Sequence, residues 1–296
     1  GVNGSHNKSN VKGPGVVIGR SGSGFGSAHY INCDFWALNT GLFVKNYHGN
    51  DVRFVYYFLD YMDFRKYNSG GAQPSSTRNL IYPIKVSIPH LTEQKEIVRI
   101  LMIWDRAIDL IECLIASKKE LRKGLMQQLF TGKRRLPGFI TAWKTVRIGR
   151  IFKNRTESNR ADLPLMAITG DRGLIPRNEV GRKDSSSADK SRYLRICQGD
   201  IGYNTMRMWQ GVSALSGFEG IVSPAYTIVS PLDEVDGEFM ALFFKFPHTI
   251  NLFFRYSQGL VSDTLNLKFN NFAKIQVTIP EKSEQQAIKK IFHKID

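Results

Sequence analysis

The sequence has 296 residues, of which 42% are hydrophobic, a proportion that excludes an extensively disordered chain. Its formal net charge of +15 favours a polyanionic partner, most simply nucleic acid, although a merely basic soluble protein is the alternative. No run of residues approaches the roughly 18 consecutive apolar positions that a membrane span requires. The three cysteines are odd in number and far apart, which is typical of a reducing cytoplasm rather than of a disulfide framework.

The first 91 residues are predicted to form a mixed, mostly β domain. Short apolar or alternating runs separated by Gly, Asn and Ser indicate strands, at 16–18, 36–38, 42–44 and 84–88. Residues 52–64 are rich in aromatic side chains, and the helical spacing of Phe54, Phe58 and Tyr61 predicts a helix there.

Two polar segments of this domain are candidate DNA contacts. The glycine-rich segment 19–26 lacks the Gly-Lys-Ser/Thr ending of a nucleotide-binding loop, so we expect a flexible loop that can approach a DNA backbone. Segment 73–79 is polar and leads into the strand predicted at 84–88. The candidate contact residues are Arg20, Ser21, Ser23, Gln73, Arg78 and Asn79. A structural turn for the first segment and a solvated loop for the second are equally compatible with these residues.

A long helix is predicted from Thr92 to about Gly132, with Thr92 as its N-cap, and it would extend ~60 Å at 1.5 Å per residue. Apolar residues recur along it in steps of four and three, a heptad-like seam that requires a partner helix. The seam consists of Ile97, Leu101, Trp104, Ile108, Ile111 and Ile115. An ordinary core helix is the alternative. Asp105 and Asp109 lie one turn apart and are interpreted as solvated charges rather than as an acid pair.

The start of this helix recurs near the end of the chain. Ile88-Pro89, Glu93-Gln94, Ile97 and Ile100 return 191 positions later as Ile279-Pro280, Glu284-Gln285, Ile288 and Ile291. A module that ends in a strand and is followed by a helix is therefore predicted to occur twice. The loop 131–138 is the predicted boundary, and a second long helix is expected to begin at Ser283, with Ser283 and Gln286 as a capping-box-like pair.

Segment 138–282 repeats the first domain in fuller form. Residues 199–201 align with 15–17, residues 224–229 with 38–44, and residues 237–254 with the aromatic helix. It again contains two polar segments, 203–210 and 262–271, whose Asn, Arg and Gln side chains can pair with base edges. The candidate contact residues are Asn204, Arg207, Gln210, Thr264, Asn266, Lys268 and Asn270. A core strand with polar ends and an ordinary solvated loop are the alternatives for these two segments.

Catalytic and metal-binding motifs are absent from the sequence. The six histidines are scattered, and neither a Cys-x-x-Cys, a His-Glu-x-x-His nor a Gly-x-Ser-x-Gly pattern occurs. The positive charge lies mainly in segments 1–91 and 133–282, which carry +5 and +8. These observations favour DNA recognition without catalysis.

Segment 125–139, together with the doubled Ile-Pro and Glu-Gln motifs, strongly resembles the specificity subunit of type I restriction–modification systems. The resemblance implies an α+β fold in which two mixed α/β target-recognition domains are separated by a long conserved coiled-coil helix, with the start of a second such helix at the C-terminus. Each domain would read one half of a split DNA site. The domains would be 1–91 and 133–282, and the conserved helices would be 92–132 and 283–296.

The resemblance also implies the partners of the chain. These are double-stranded DNA, methyltransferase (modification) subunits and restriction subunits, in the cytoplasm and without a membrane. No cofactor is expected in this chain, whereas S-adenosylmethionine, ATP and magnesium are expected on the partner subunits. In such a subunit the first domain would begin before Gly1 and the second helix would continue beyond Asp296, so we expect a truncated or split subunit, or self-association through the long helix. The alternatives are a non-reading assembly adaptor and a stand-alone DNA nuclease.

Overall fold

The computed structural model of the chain describes residues 4–5, 7–69, 74–181, 187 and 189–295. These form two compact units, Gly1–Leu114 and Ile115–Asp296, and the division falls inside one long helix. The α+β class is confirmed, with a long helix that lies in chain order between two sheet-containing regions. No described helix combines the length and the apolar character needed to cross a bilayer.

The first unit contains a three-stranded antiparallel sheet in the order β2-β1-β3. Its elements are β1 (Gly15–Gly19), β2 (Ala28–Ile31), β3 (Gly41–Phe43), α1 (Val52–Tyr61), the single turn α2 (Arg78–Ile81) and the start of α3 (Leu91–Leu129). The helix predicted at 52–64 is confirmed in α1, whereas Tyr61 of its apolar spacing is 85% exposed.

The second unit contains a four-stranded antiparallel sheet in the order β10-β9-β12-β5 and three two-stranded ladders, β11-β8, β13-β4 and β6-β7. Its strands are β4 (Lys144–Arg147), β5 (Phe152–Arg155), β6 (Met166–Thr169), β7 (Gly173–Pro176), β8 (Leu194–Ile196), β9 (Ile201–Asn204), β10 (Ser213–Leu215), β11 (Gly220–Val222), β12 (Tyr226–Pro231) and β13 (Gln276–Ile279). Its helices are α4 (Ile148–Ile151), α5 (Gly237–Phe243), α6 (Pro247–Tyr256), α7 (Phe269–Phe272) and α8 (Lys282–His293).

Three strands of each unit share one register. In both units a central strand pairs antiparallel with two neighbours, and six of the seven paired positions of the first unit are matched 185 residues later. The matched pairs are Ile18–Ala28 with Tyr203–Ser213, and Ile18–Leu42 with Tyr203–Thr227. The offset in the sheets is therefore 185, not 191. The predicted alignment of 15–17 with 199–201 is wrong by one residue.

A buried glutamine joins the long helix to the helix that packs beside it, in the same way in both units. Gln94, 1% exposed, donates from Nε2 to the Pro89 carbonyl at 2.9 Å and accepts at Oε1 from the Asp51 N–H at 2.9 Å. Asp51 is the N-cap of α1. The polar groups of this joint are thus satisfied internally, as burial requires.

The second copy of the joint has matching geometry. Gln285, 0% exposed, donates to the Pro280 carbonyl at 2.8 Å and accepts from the Asp236 N–H at 2.8 Å. Asp236 is the N-cap of α5 and accepts from the Phe239 N–H. The repeated Pro…Gln motif of the sequence is therefore a repeated structural joint.

Both predicted caps are wrong. Helix α3 begins at Leu91, so Thr92 lies inside its first turn and is exposed. Helix α8 has Glu281 as its N-cap residue without a side-chain cap bond, and the Ser283 hydroxyl bonds the Glu281 carboxylate at 2.9 Å. Both motifs bury their glutamine, which bonds backbone groups outside its own helix.

Two predicted strands are also wrong. Residues 36–38 and 84–88 are irregular, whereas β13, the counterpart of 84–88, pairs with β4. Among the described residues of the first unit no strand pairs with 84–88, so its backbone has no ladder to join. The segment 237–254 forms two helices, because Pro247 begins a new helix after α5 has ended.

Much of α3 is exposed on all sides. Every residue from Ile108 to Leu121 is exposed, and Trp104, Ile108 and Ile111 are 65%, 53% and 56% accessible. The alternative of an ordinary core helix is therefore wrong for this stretch. Asp105 differs from its interpretation as a merely solvated charge, because it accepts a 2.5 Å hydrogen bond from the Tyr57 hydroxyl. Burial, and then this bond, raise the pKa of Tyr57 to about 12.

Replacing Gln285 with Leu would leave the Pro280 carbonyl and the Asp236 N–H buried without partners. We expect the free energy of unfolding of the second unit to fall by roughly 2–4 kcal/mol, measured by urea denaturation of the full chain. The neighbouring Gln286 is exposed and provides the matched control. Gln286→Leu should change stability by less than about 0.5 kcal/mol. Equal losses for the two variants would contradict the structural role of Gln285.

Candidate nucleic-acid interface

The two polar segments of the first unit lie side by side. The Ser76 N–H donates to the Arg20 carbonyl at 3.0 Å, and Ser21 and Ser75 form an antiparallel bridge. The Arg20 N–H in turn donates to the Thr40 carbonyl at 2.9 Å, which ties the first segment to the turn before β3. Segments far apart in the chain are thus joined into one surface at the end of β1.

The second unit joins its two polar segments in the same way. The Leu267 N–H donates to the Thr205 carbonyl at 2.8 Å, and the Thr205 N–H donates to the Ala225 carbonyl at 3.2 Å. Thr205 follows Arg20 by 185 positions, and Leu267 follows Ser76 by 191. The bond therefore recurs at matched positions, and the second unit has six more residues between α5 and Leu267, a region that includes α6.

Most of the predicted contact residues project from these joined segments. In the first unit, Arg20, Ser23, Arg78 and Asn79 are exposed and Ser21 is half-buried; Gln73 lies outside the described residues. In the second unit, Arg207, Gln210, Thr264, Lys268 and Asn270 are exposed, and Asn204 and Asn266 are half-buried. Each surface therefore presents both cationic and neutral hydrogen-bonding side chains, while its role in DNA contact stays a prediction.

Three of these side chains also shape their own loops. The Asn204 Oδ1 accepts from the Met206 N–H at 3.0 Å, which stabilises the turn after β9. The Asn266 Nδ2 donates to the Gln258 carbonyl at 3.1 Å, and the Thr264 hydroxyl donates to the Val261 carbonyl at 3.0 Å. Substitutions at these positions would alter loop shape as well as any contact with DNA.

An open cleft of about 250 Å³ adjoins the loop that contains Lys268 and Asn270. Its walls come from β5, β8, β12 and the start of α7, and two of the lining residues, Leu194 and Phe269, are apolar. Its lining includes Asn154, Arg155, Thr156, Tyr226, Lys268 and Asn270. Lys268 and Asn270 were predicted from the sequence, whereas the strand residues were missed. Asn154 and Arg155 lie in β5 and Thr156 directly follows it, and only the sheet order places them beside Tyr226.

An ion pair holds the wall of this cleft. Arg155 donates to Asp200 from Nε at 2.6 Å and from Nη2 at 3.2 Å, and Asp200 is 2% exposed. These bonds raise the pKa of the Arg155 guanidinium. Asp200 also accepts from the Ser230 hydroxyl at 2.5 Å and from the Cys197 N–H at 2.8 Å. The carboxylate is thereby satisfied inside the sheet and orients the arginine at the cleft.

The chemistry of both surfaces is that of hydrogen-bond donors. Arg and Lys side chains can neutralise phosphates, and Arg, Asn and Gln can pair with base edges. Within the described ranges, no group of three or more His, Cys, Asp or Glu side chains is arranged to hold a metal ion. The arrangement suits binding of a polyanion.

Residues 2–118 match the family model of the type I restriction modification DNA specificity domain. The fold is similar to that of the type I restriction–modification system S subunit from M. genitalium, with a TM-score of 0.65, 15% identity, and coverage of 99% of this chain and 79% of that one. A second structure, which concerns complex assembly and conformational transition of the type I R-M system, has a TM-score of 0.55, 13% identity, and coverage of 96% and 75%.

The fold of the chain is therefore similar to the fold of a type I restriction–modification S subunit. The match to the family model of the type I restriction modification DNA specificity domain is confined to residues 2–118. Both assignments agree with the resemblance inferred from the helix-end motif and from the doubled Glu-Gln motif.

Replacing Arg155 with Met would leave Asp200 buried with a net charge and without its cation. We expect a loss of roughly 2–4 kcal/mol in the free energy of unfolding of the second unit, in a urea titration. Arg150 is exposed on the preceding helical turn and provides the matched control. Arg150→Met should change stability by less than about 0.5 kcal/mol. If Arg155→Met left the free energy of unfolding unchanged, the ion pair would not hold the cleft wall.

Proposed function

We propose that the chain is a non-catalytic specificity subunit that reads a bipartite DNA site, one half with each unit. It would direct methyltransferase and restriction subunits to that site. The observation that carries the proposal is the matched backbone bond, Ser76 to Arg20 and Leu267 to Thr205, which joins two polar loops into one surface in each unit. A fixed framework with two exposed loops is suited to reading a short stretch of groove.

The loops differ in side chains although their framework is the same. At the three positions from Arg20 onwards the first unit has Arg-Ser-Gly, and the second has Thr-Met-Arg at the matching positions. Arg78 of the first unit corresponds to Phe269 of the second. Different donors on the same framework support two different half-sites rather than a palindrome. The net charge of +15 supports phosphate contacts beside the base contacts.

The exposed seam of α3 supports a partner helix. Four of its side chains are each at least 47% exposed, namely Trp104, Ile108, Ile111 and Ile115. Exposed apolar residues at heptad spacing are typical of a coiled-coil surface. We propose that a methyltransferase subunit or a second copy of the chain covers this seam, in the cytoplasm. S-adenosylmethionine, ATP and magnesium would then be bound by the partner subunits.

The reading of two half-sites can be tested by mapping methylated adenines. The chain would be co-expressed with a type I methyltransferase subunit, and the methylated motif would be determined by sequencing that detects N6-methyladenine. Arg78→Ala should relax one position in one half-site, and Arg207→Ala one position in the other. Each substitution should lower the free-energy difference between the correct and the wrong base at its position by about 1–3 kcal/mol. Lys290→Ala, at an exposed position on α8, is the control for loss of one positive charge and should leave the motif unchanged.

The same experiment separates the proposal from its alternatives. If both variants relaxed the same half-site, reading by two units would be contradicted. If no defined motif were methylated although the subunits assembled, the chain would be an assembly adaptor. DNA cleavage by the purified chain alone with magnesium would identify a nuclease instead.

Self-association through the seam predicts a mass above 33.6 kDa for the isolated chain, measured by size-exclusion chromatography with light scattering. The double variant Ile108→Gln and Ile111→Gln should return it to a monomer, because it removes two exposed apolar side chains from the centre of the seam. Arg106→Gln with Asp109→Gln leaves the seam and the net charge intact and is the control. A well-behaved monomer of the unmodified chain would contradict self-association.

A further inference from the structure

A short loop of the second unit presents two apolar side chains to solvent. Residues 258–266 double back on themselves, because Gln258 and Asn266 pair antiparallel through two backbone hydrogen bonds of 2.8 Å each. Within this loop Leu260 is fully exposed and Val261 is 60% exposed, whereas Leu265 is buried. We call residues 259–264 the exposed tip. Leu260 has no packing role within the folded chain, so burial of its side chain requires a binding partner.

Hydrogen bonds hold the exposed tip in one shape. The Val261 carbonyl accepts from the Thr264 N–H and from the Thr264 hydroxyl, each at 3.0 Å. Gly259 has a φ of +145°, and a Cβ atom there would lie 2.6 Å from the Thr264 carbonyl oxygen, so the turn requires glycine. A side chain carried by such a preformed turn loses little conformational entropy on binding.

The exposed tip belongs to the candidate nucleic-acid interface. Its chain continues into Leu267, which is 0% exposed and donates its N–H to the Thr205 carbonyl at 2.8 Å. This is the bond that joins the two polar segments of the second unit. Two of the predicted contact residues, Thr264 and Asn266, lie in the same loop as Leu260. An apolar side chain therefore projects from a surface whose other exposed side chains are mainly polar.

The charges near the exposed tip favour a nucleic acid as its partner. Between residues 247 and 275 the chain has three Lys or Arg residues, Arg255, Lys268 and Lys274, and one carboxylate, Asp263, all of them exposed. The cations can neutralise phosphates. The Asp263 carboxylate is repelled by phosphates, although it can accept a hydrogen bond from a base amino group. The exposed tip, which contains Asp263, is therefore suited to the bases rather than to the DNA backbone.

We propose that Leu260 is a wedge that inserts between two adjacent base pairs of the half-site bound by the second unit. This inference rests on the proposed function and adds a deformation of the DNA to it. Apolar side chains that enter a DNA groove partly unstack a base step and kink the duplex, and pyrimidine–purine steps are unstacked most easily. The second half-site therefore contains a pyrimidine–purine step that is recognised through its flexibility rather than through hydrogen bonds.

The corresponding loop of the first unit differs in sequence. The Ser69 N–H donates to the Ser75 carbonyl at 2.8 Å, as the Gln258 N–H donates to the Asn266 carbonyl. The five residues between Ser69 and Ser75 are Gly-Gly-Ala-Gln-Pro, whereas seven residues separate Gln258 from Asn266. These five residues include no large aliphatic side chain. The wedge is therefore expected in one half-site only, and the other half-site serves as an internal control.

The wedge is tested with 2-aminopurine, an adenine analogue whose fluorescence rises when it is unstacked. The full chain, assembled with a methyltransferase subunit, would bind duplexes of its methylation motif in which 2-aminopurine replaces one adenine of either strand at a time, except the methylated adenines. We expect a severalfold rise at one step of the half-site that Arg207→Ala relaxes, and none in the other half-site. Leu260→Ala should remove at least half of the rise and weaken duplex binding about tenfold, whereas Leu260→Met should retain both.

Ile140 provides the matched control, because it is 94% exposed in the same unit and lies outside both polar segments. Ile140→Ala should change neither the fluorescence nor the binding. A defined bipartite motif without a rise that depends on Leu260 would overturn the wedge and leave the proposed function intact. Absence of any defined motif would contradict the proposed function and the wedge together. If Leu260→Ala weakened assembly with the methyltransferase subunit in the absence of DNA, the exposed tip would be a protein contact and the wedge would be overturned.

Discussion

The structure depends on one buried polar joint. In each unit a glutamine in the first turns of a helix accepts from the N–H of an N-cap aspartate and donates to a proline carbonyl. Gln94 and Gln285 are 1% and 0% exposed, so water does not replace these bonds. An unsatisfied buried group costs about 1–3 kcal/mol, which makes the amide hard to replace. The joint fixes the start of α1 or α5 against the helix that follows the domain.

The joint lies on the same framework as the candidate interface. Around it, the three-stranded registers, the stacked phenylalanine pair (Phe54–Phe58 and Phe239–Phe243) and the backbone bond between the two polar loops all recur at matched positions. The second unit accommodates six additional residues between α5 and Leu267 without losing the loop-to-loop bond. The side chains on the loops differ between the units while the backbone contacts persist. This combination is what a family of DNA-reading proteins needs, because recognition can change without a change of fold.

The sequence predicts the long helix, the α1 helix and the doubled module, because helical periodicity and a repeated motif are local signals. It does not predict which polar residue of the motif is buried. Thr92 and Ser283 have the composition of caps, whereas the glutamines satisfy backbone groups outside their own helices, a tertiary effect. The cleft residues Arg155 and Tyr226 escape prediction for a similar reason, since they become neighbours only through the sheet order. Segment 84–88 has the composition of a strand but lacks a described partner strand.

The central claim is that both joined loop surfaces contact DNA at the same time. Hydrogen–deuterium exchange of the full chain, assembled with a methyltransferase subunit and the duplex that its methylation motif defines, tests this most directly. The account predicts slower exchange on DNA binding in all four segments, 19–26 and 74–79 in the first unit and 203–210 and 262–271 in the second. Protection of one unit only, or of one segment of each pair without the other, would contradict it.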